Sequence, residues 1–597
     1  MLRRRRSAHL ITSSVFLLAG LVALVVVAVM FVPATEGKAQ QPPQGTGNGV
    51  STPTNSPATS ASATVTVTAT ATATATVTAL PTAECEAAWK LVPAPDLGDF
   101  ADIAAISSDD VWVVGDTGAI HWDGAGWSSV PTAGITDFYS VSAVSHDDVW
   151  AVNSAHVIHW DGTSWSLTFD PPAGPGNGGA YFDVKAIASD DVWVVGSHWP
   201  TIFRPATYAI HWDGEEWTVT NSPEAGSNGS QMYAVSGIAG GHVWAVGRDE
   251  GPKLFRWTGT AWETVSPGGD PYSPWELLAV EVIAPDDVWA GGYQINGASS
   301  LQHYNGSEWV GLSTVGFDIG AVAAISAVAP DDVWAGGDQG IIHWDGSTWS
   351  QVPAPAGYFR AVDAIGPEDA WAVGKVSGRV VVHYSNDPFW DVRPGSPFYS
   401  YVRCLACQGI VSGYSDSSFR PNERVTRGQA AKIISNAAGY NDEIPGNRRS
   451  FADAMQGNPF WVYIERVYAH GAISGYPCGG EGEPCSQPPR PYYRPGAYLT
   501  RGQLAKITSN VAGYDDTPTG QTFNDVPPGS PFYTYIERAA AHDVISGYPC
   551  GGTNPDTGEA EPCPGAYFRP GSNVTRGQTA KIVANALLPG CEAPTRR

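Results

Sequence analysis

Between Cys85 and Cys404 the chain has no cysteine, which excludes from that stretch the copper chemistry that needs a cysteine beside a tyrosine. Basic residues are few: 33 Lys and Arg stand against 58 Asp and Glu, a net charge of −25. A nucleic-acid binder needs a basic footprint, so nucleic acid is excluded as a partner. Charged residues make up only 15% of the chain and Met only 4 positions, whereas Trp fills 23. Such a composition builds aromatic, β-rich cores, and the acidic excess reads as a solubility feature rather than a site. At 597 residues the chain is too long for one domain.

The middle of the chain is a repeat. Its unit is shown by Ile325 to Pro353, ISAVAPDDVWAGGDQGIIHWDGSTWSQVP. The DVW-type Trp recurs seven times, at Trp112, Trp150, Trp193, Trp244, Trp289, Trp334 and Trp371, 37 to 51 residues apart. Short apolar runs at that period, punctuated by Gly and Asp, predict a β-propeller of seven four-stranded blades over 85–387. A second landmark agrees, the pairs from His121-Trp122 to His383-Tyr384, with Arg256-Trp257 in the fourth copy. The Trp that opens the last strand is missing from the seventh copy. Trp89-Lys90-Leu91-Val92-Pro93 matches Trp349-Ser350-Gln351-Val352-Pro353, so the N-terminal strand is expected to complete the seventh blade and close the ring. The Asp-Gly turns, the Asp pairs before Val-Trp and the repeated His read as turn and packing residues, because positions repeated round a ring serve the fold. Candidate ligand loops are the irregular insertions at 170–180, 197–208, 221–230 and 266–275.

Arg3 to Arg6 precede an apolar run from Val15 to Val32. Positive charge before such a run sends the remainder out of the cytoplasm, so residues 1–34 read as a signal peptide or a signal anchor, the latter a membrane tether. Residues 35–84 are Pro, Thr, Ser, Ala and Gly and read as a disordered linker. Eight cysteines in an exported chain suggest disulfides. Cys478 with Cys485, and Cys550 with Cys563, occupy corresponding loops. Cys85, Cys404, Cys407 and Cys591 allow three pairings, and a structural role is expected for them rather than a redox or metal site.

Past 388 a second repeat begins, with three copies at 388–440, 450–514 and 522–588. Each runs from Phe-x-Asp (Phe389-Trp390-Asp391, Phe451-Ala452-Asp453, Phe523-Asn524-Asp525) through Ser-Gly-Tyr and aromatic-Arg-Pro to Thr-Arg-Gly-Gln. Pro-Phe-aromatic at 397, 459 and 531 predicts a helix start. Thr-x-x-Gln predicts a capping box, with the intervening Arg in the first turn and pointing outward. One helix–loop–helix unit cannot bury a core alone, so three should pack together. The three copies resemble S-layer homology domains. The resemblance implies a mainly α-helical, pseudo-threefold bundle that binds secondary cell-wall polysaccharide, often pyruvylated. Matching that family's motifs, the implied glycan-binding residues are Asp391, Arg427, Asp453, Arg501, Asp525 and Arg576. The chain departs from the family in having Gly-Gln where Ala-Glu is usual, and Gly costs a helix up to about 1 kcal/mol.

The expected protein is therefore multidomain, an all-β propeller followed by a helical bundle. It is extracellular, at the cell surface, wall or S-layer. It needs no cofactor and no metal, and it is not an enzyme. The propeller holds only nine Lys and Arg, too few and too scattered for a clustered Arg triad of the sialidase kind. The competing readings are an envelope-anchored, polysaccharide-active enzyme and a calcium-dependent adhesin using the Asp pairs. The propeller's own ligand is not named by the sequence.

Overall fold

The computed structural model describes residues 85–169, 179–201, 204–220, 229–249, 251–269, 274–312, 317, 319–376 and 378–591. The segments 1–34 and 35–84, all but the last two residues of 170–180 and of 221–230, and parts of 197–208 and 266–275 lie outside the described residues. Among the described residues, no helix is long and apolar enough to cross a membrane.

Seven four-stranded antiparallel sheets make the first part. The sixth is representative, with strands Val322–Ala329, Asp332–Gly337, Gly340–Trp344 and Trp349–Val352. Its second strand is buried from end to end, as an apolar run flanked by neighbouring blades must be. The seventh sheet takes Tyr358–Gly366, Asp369–Lys375 and Arg379–Ser385 from its own repeat and Ala88–Val92 from the N-terminal side, with Ala88 opposite Ser385 and Val92 opposite Val381. The strand swap expected from Trp89 is what closes the ring.

Tryptophan joins the blades. Each DVW Trp meets, edge to face, the last-strand Trp of the following blade. The pairs are 112–165, 150–217, 193–262, 244–309, 289–349, 334–89 and 371–127, with interplanar angles from 77° to 90°. Such contacts add about 0.5–1.5 kcal/mol each beyond buried area. The repeated His stacks on the DVW Trp of its own blade, as His343 on Trp334 at 4.2 Å, and in the fourth blade Arg256 takes its place over Trp244. The two members of an Asp pair have separate places in the blade. The second accepts from the His, as Asp332 from His343. The first lies beneath the Asp-Gly turn, where a Cβ on Gly346 would come within 2.7 Å of Asp331 Cβ.

Among the described residues the second part holds six α-helices: α1 (Tyr399–Cys407), α2 (Arg427–Ala437), α3 (Trp461–Ala469), α4 (Arg501–Val511), α5 (Tyr533–Ala541) and α6 (Arg576–Leu587). Thr426, Thr500 and Thr575 each form a complete capping box with Gln429, Gln503 and Gln578. At the centre, Val425 donates to Val574 O, Val574 to Leu499 O and Leu499 to Val425 O, at 3.0, 2.9 and 2.9 Å. This closed cycle of three hydrogen bonds marks the pseudo-threefold axis. Around it Phe419, Phe451 and Phe568 are fully buried in one shared core.

The two parts meet through residues 387–393. The Arg393 guanidinium lies over the rings of Trp122 and Trp371, at 5.3 and 5.9 Å, and donates to Ser108 O. The cysteine pairing left open by sequence is Cys85–Cys407 and Cys404–Cys591, so both bridges end on α1. Cys478–Cys485 and Cys550–Cys563 close the two inserted loops.

Candidate functional site

The three repeats build the same site three times. Asp391, Asp453 and Asp525 sit at the start of each repeat and grip the aromatic-Arg-Pro loop. Asp391 accepts from the backbone N–H of Phe419 and of Arg420, both at 2.6 Å. Asp453 does the same for Tyr493 and Arg494, and Asp525 for Phe568 and Arg569. The loop needs holding, because Arg420, Arg494 and Arg569 have φ of 57°, 60° and 58°, a left-handed conformation disfavoured for a side chain. Those arginines are paired by carboxylates, Arg494 with Glu483 and Arg569 with Glu561, which the disulfide-closed insertions supply.

Arg427, Arg501 and Arg576 do not point outward as expected from their place in the first helical turn. They are 6%, 5% and 7% exposed. Each reaches into the next repeat. Arg427 Nε donates to Tyr493 O, Arg501 Nε to Phe568 O and Arg576 Nε to Phe419 O, at 2.7, 2.7 and 2.6 Å. Each guanidinium also lies between two rings, as Arg427 does between Tyr476 and Tyr493 at 5.0 and 4.6 Å. The reason is the junction between repeats: a local helix pattern knows nothing of the neighbouring repeat that covers this face. Burial pushes the Arg501 and Arg576 guanidiniums down from their usual value, but a guanidinium remains charged at neutral pH.

Where these arginines approach the surface there are grooves. One, of about 180 Å³, is lined by Ser412, Gly413, Tyr414, Gln429, Lys432, Phe460 and Arg576. Its equivalent, of about 170 Å³, has Ser546, Gly547, Tyr548, Gln578, Lys581, Phe398 and Arg501. At the middle repeat Gln503 donates to Tyr476 Oη at 2.8 Å and Arg427 Nη1 lies 3.4 Å from the same oxygen. Each groove is thus a positive spot in an acidic chain: a stacked guanidinium, an ammonium, a phenol and an amide. The lysines were missed by the motif reading. The available signal was their constant offset of five positions from the Arg at 427, 501 and 576.

The innermost strands of the propeller line a channel of about 520 Å³. Each shifts register near its start, as between Phe100 and Asp102 or Tyr181 and Asp183, and polar channel side chains take N–H groups of the adjacent blade. Asp102 accepts from Val141, Asp183 from Val235 and Asp363 from Ala105, at 2.9, 2.7 and 2.7 Å. Glu281 lies 3.7 Å from Lys185 Nζ. Tyr139, Phe182 and Tyr233, from consecutive blades, form an aromatic arc with centroids 6.3 and 6.1 Å apart.

Burial, with the Asp183 carboxylate second, pushes Asp102 up to about 7, and burial pushes Asp363 up to about 6. In the unfolded chain Asp102 releases its proton near 3.8. The folded chain therefore binds more protons through that window, and stability falls as pH rises across it. Thermal unfolding followed from about pH 5 to about pH 8 should drop by at least about 2–4 °C. Asp102→Asn should flatten that slope. A slope unchanged in the variant would show that the acidic surface, and not the channel, sets it.

Residues 388–431 and 522–580 match the family model described as S-layer homology domain. The chain therefore carries S-layer homology repeats behind a seven-bladed β-propeller. The copy at 450–514 lies between the matched segments and repeats the same clamp, at Asp453, and the same buried Arg, Arg501. Among curated proteins, the chain is 32% identical over 133 residues to the surface-layer 125 kDa protein of Lysinibacillus sphaericus, across 22% of this chain and 10% of that protein. It is 25% identical over 208 residues to an endoglucanase of Bacillus sp. (strain KSM-635), across 34% and 19%. The chain thus spans a fifth or less of either relative's length. Among solved structures, YCF48 from Cyanidioschyzon merolae is 17% identical with a TM-score of 0.39, over 50% of this chain and 98% of that one.

Proposed function

We propose that the grooves beside Arg576 and Arg501, together with the matching residues around Arg427, hold an anionic envelope polysaccharide and so fasten the chain non-covalently at the cell surface, with the propeller displayed as a binding or structural module. The observation that carries this reading is the groove itself. A guanidinium held rigid between two rings, with a lysine and a tyrosine hydroxyl beside it, suits a carboxylate carried on a sugar, and the ketal carboxylate of a pyruvylated residue matches the guanidinium fork. Arg427, Arg501 and Arg576 contact the glycan, with Lys432, Lys506 and Lys581 joining them. Asp391, Asp453 and Asp525 act by holding the loop that shapes each groove. The relative named as a surface-layer protein agrees with this location. The endoglucanase name belongs to its own protein. The propeller is read as non-catalytic because its channel carboxylates are spent inside the fold, Asp102, Asp183 and Asp363 on backbone N–H groups of neighbouring blades and Glu281 on Lys185 and Ser236.

The test is binding of the full chain to wall sacculi, with native polysaccharide and with polysaccharide stripped of its ketal. Because the arginines also hold the repeats together, the informative variant changes Lys432, Lys506 and Lys581 to Gln. A charged hydrogen bond is worth about 1.5–3 kcal/mol, so affinity should fall by about tenfold or more with the unfolding temperature unchanged. Undiminished binding of the triple variant, or equal binding to stripped polysaccharide, would overturn the reading.

A further inference from the structure

Six blades share one pair, an imidazole Nε2 within 2.6–2.9 Å of an aspartate oxygen at the start of the second strand. In the first blade a second imidazole joins it. His146, from the turn that leads into the second strand of the following blade, places Nδ1 2.9 Å from Asp110 Oδ2, while His121 Nε2 lies 2.7 Å from Asp110 Oδ1. Trp160 donates its indole N–H to His146 O, just as Trp122 donates to Ser108, Trp212 to Ser189 and Trp344 to Pro330. The counterparts of His146 are thus Ser or Pro. In the second and sixth blades the corresponding carboxylate oxygen, Oδ2 of Asp148 and of Asp332, is buried with no hydrogen-bond partner. In the first blade that oxygen meets a nitrogen ligand.

We propose that Asp110, His121 and His146 form a binding site for a borderline divalent transition metal, Zn²⁺ above all. The three donor atoms lie within 4.8 Å of one another, the one such group among the described residues. Tetrahedral zinc with bonds of about 2.0 Å needs donors about 3.3 Å apart, so small side-chain rotations suffice. Two imidazoles with one carboxylate select zinc, nickel or copper over calcium and magnesium, which prefer all-oxygen cages. Binding replaces the two hydrogen bonds to Asp110: His121 presents the lone pair of Nε2 and His146 that of Nδ1, each ring neutral. Support is in place. His121 packs on Trp112 with centroids 4.5 Å apart, and the indole of Trp160 fixes the His146 backbone. The His146 side chain is 66% exposed, so a fourth coordination position faces solvent and is open to water or to a donor from another molecule. The site is independent of the glycan grooves.

The experiment is calorimetric titration of the chelator-treated full chain with ZnCl₂, alongside CaCl₂, for the native chain and for His146→Ser, which installs the residue found at two counterpart positions. One zinc per chain is expected, with affinity reduced more than about tenfold in the variant and no calcium binding at this site. Thermal unfolding provides the second readout: zinc should raise the unfolding temperature of the native chain and leave that of His146→Ser unmoved. Zinc binding or zinc stabilisation that is the same in both chains would overturn the proposal, as would a native chain that takes up no zinc.

Discussion

Gly502→Ala is expected to destabilise the bundle by about 1–3 kcal/mol, although alanine is the better helix former by about 0.5–1 kcal/mol. A Cβ at 502 would lie 2.7 Å from Cδ2 of Phe532 in the next repeat. At Gly428 the distance to Phe460 is 2.5 Å, and at Gly577 that to Phe398 is 2.5 Å. The phenyl ring is wedged against the helix start, where the backbone N–H of Gly502 also donates to Pro570 O. Steric overlap and propensity therefore predict opposite signs, and the measurement decides. Denaturant unfolding, with hydrogen exchange at α4 to locate the loss, should show a lower midpoint for the variant. Pairing it with Phe532→Leu should return part of the loss. A midpoint that rises in Gly502→Ala would mean that the glycine is a mere departure from a better sequence.

The larger loss is expected from Cys85→Ser with Cys407→Ser. The bridge spans 322 residues, whereas Cys478–Cys485 spans 7. On chain entropy alone, the first constrains the unfolded chain by up to about 6 kcal/mol and the second by about 2 kcal/mol. It also sits beside the strand that closes the propeller, where Lys90 donates to Ser385 O. The Cys85/Cys407 pair variant should therefore show a clearly lower unfolding midpoint than a Cys478/Cys485 pair variant. Equal losses would show that the ring is held by its tryptophans and that the bridge adds nothing to closure.

The propeller was legible because its signal is redundant. Seven Trp, each in the same local context, set the period, and even the piece missing from the last repeat was found at Trp89. The capping boxes were legible for a different reason: Thr and Gln satisfy each other within four residues. What local pattern hides is contact between repeats. Arg427 looks like a solvent residue from α2 alone, and only Tyr493 of the next repeat makes it a buried one. Gly502 looks like a cost until Phe532 is placed against it. The channel charges were missed because Asp102, Asp183, Lys185, Glu281 and Asp363 occupy inner-strand positions that other blades fill with Ala or Ser. Periodicity discards such exceptions, and for the same reason it discarded His146.

Both long-range bridges end on α1, Cys85 through Cys407 and Cys591 through Cys404. Tension applied between residues 85 and 591 consequently runs through two sulfur links and a single helical turn. The propeller and the other five helices lie in parallel with that path, and the short covalent route takes most of the load. A module suspended in this way keeps the shape of its channel while the chain around it is pulled taut, as a pulley block keeps its form when the rope passes through its shackle.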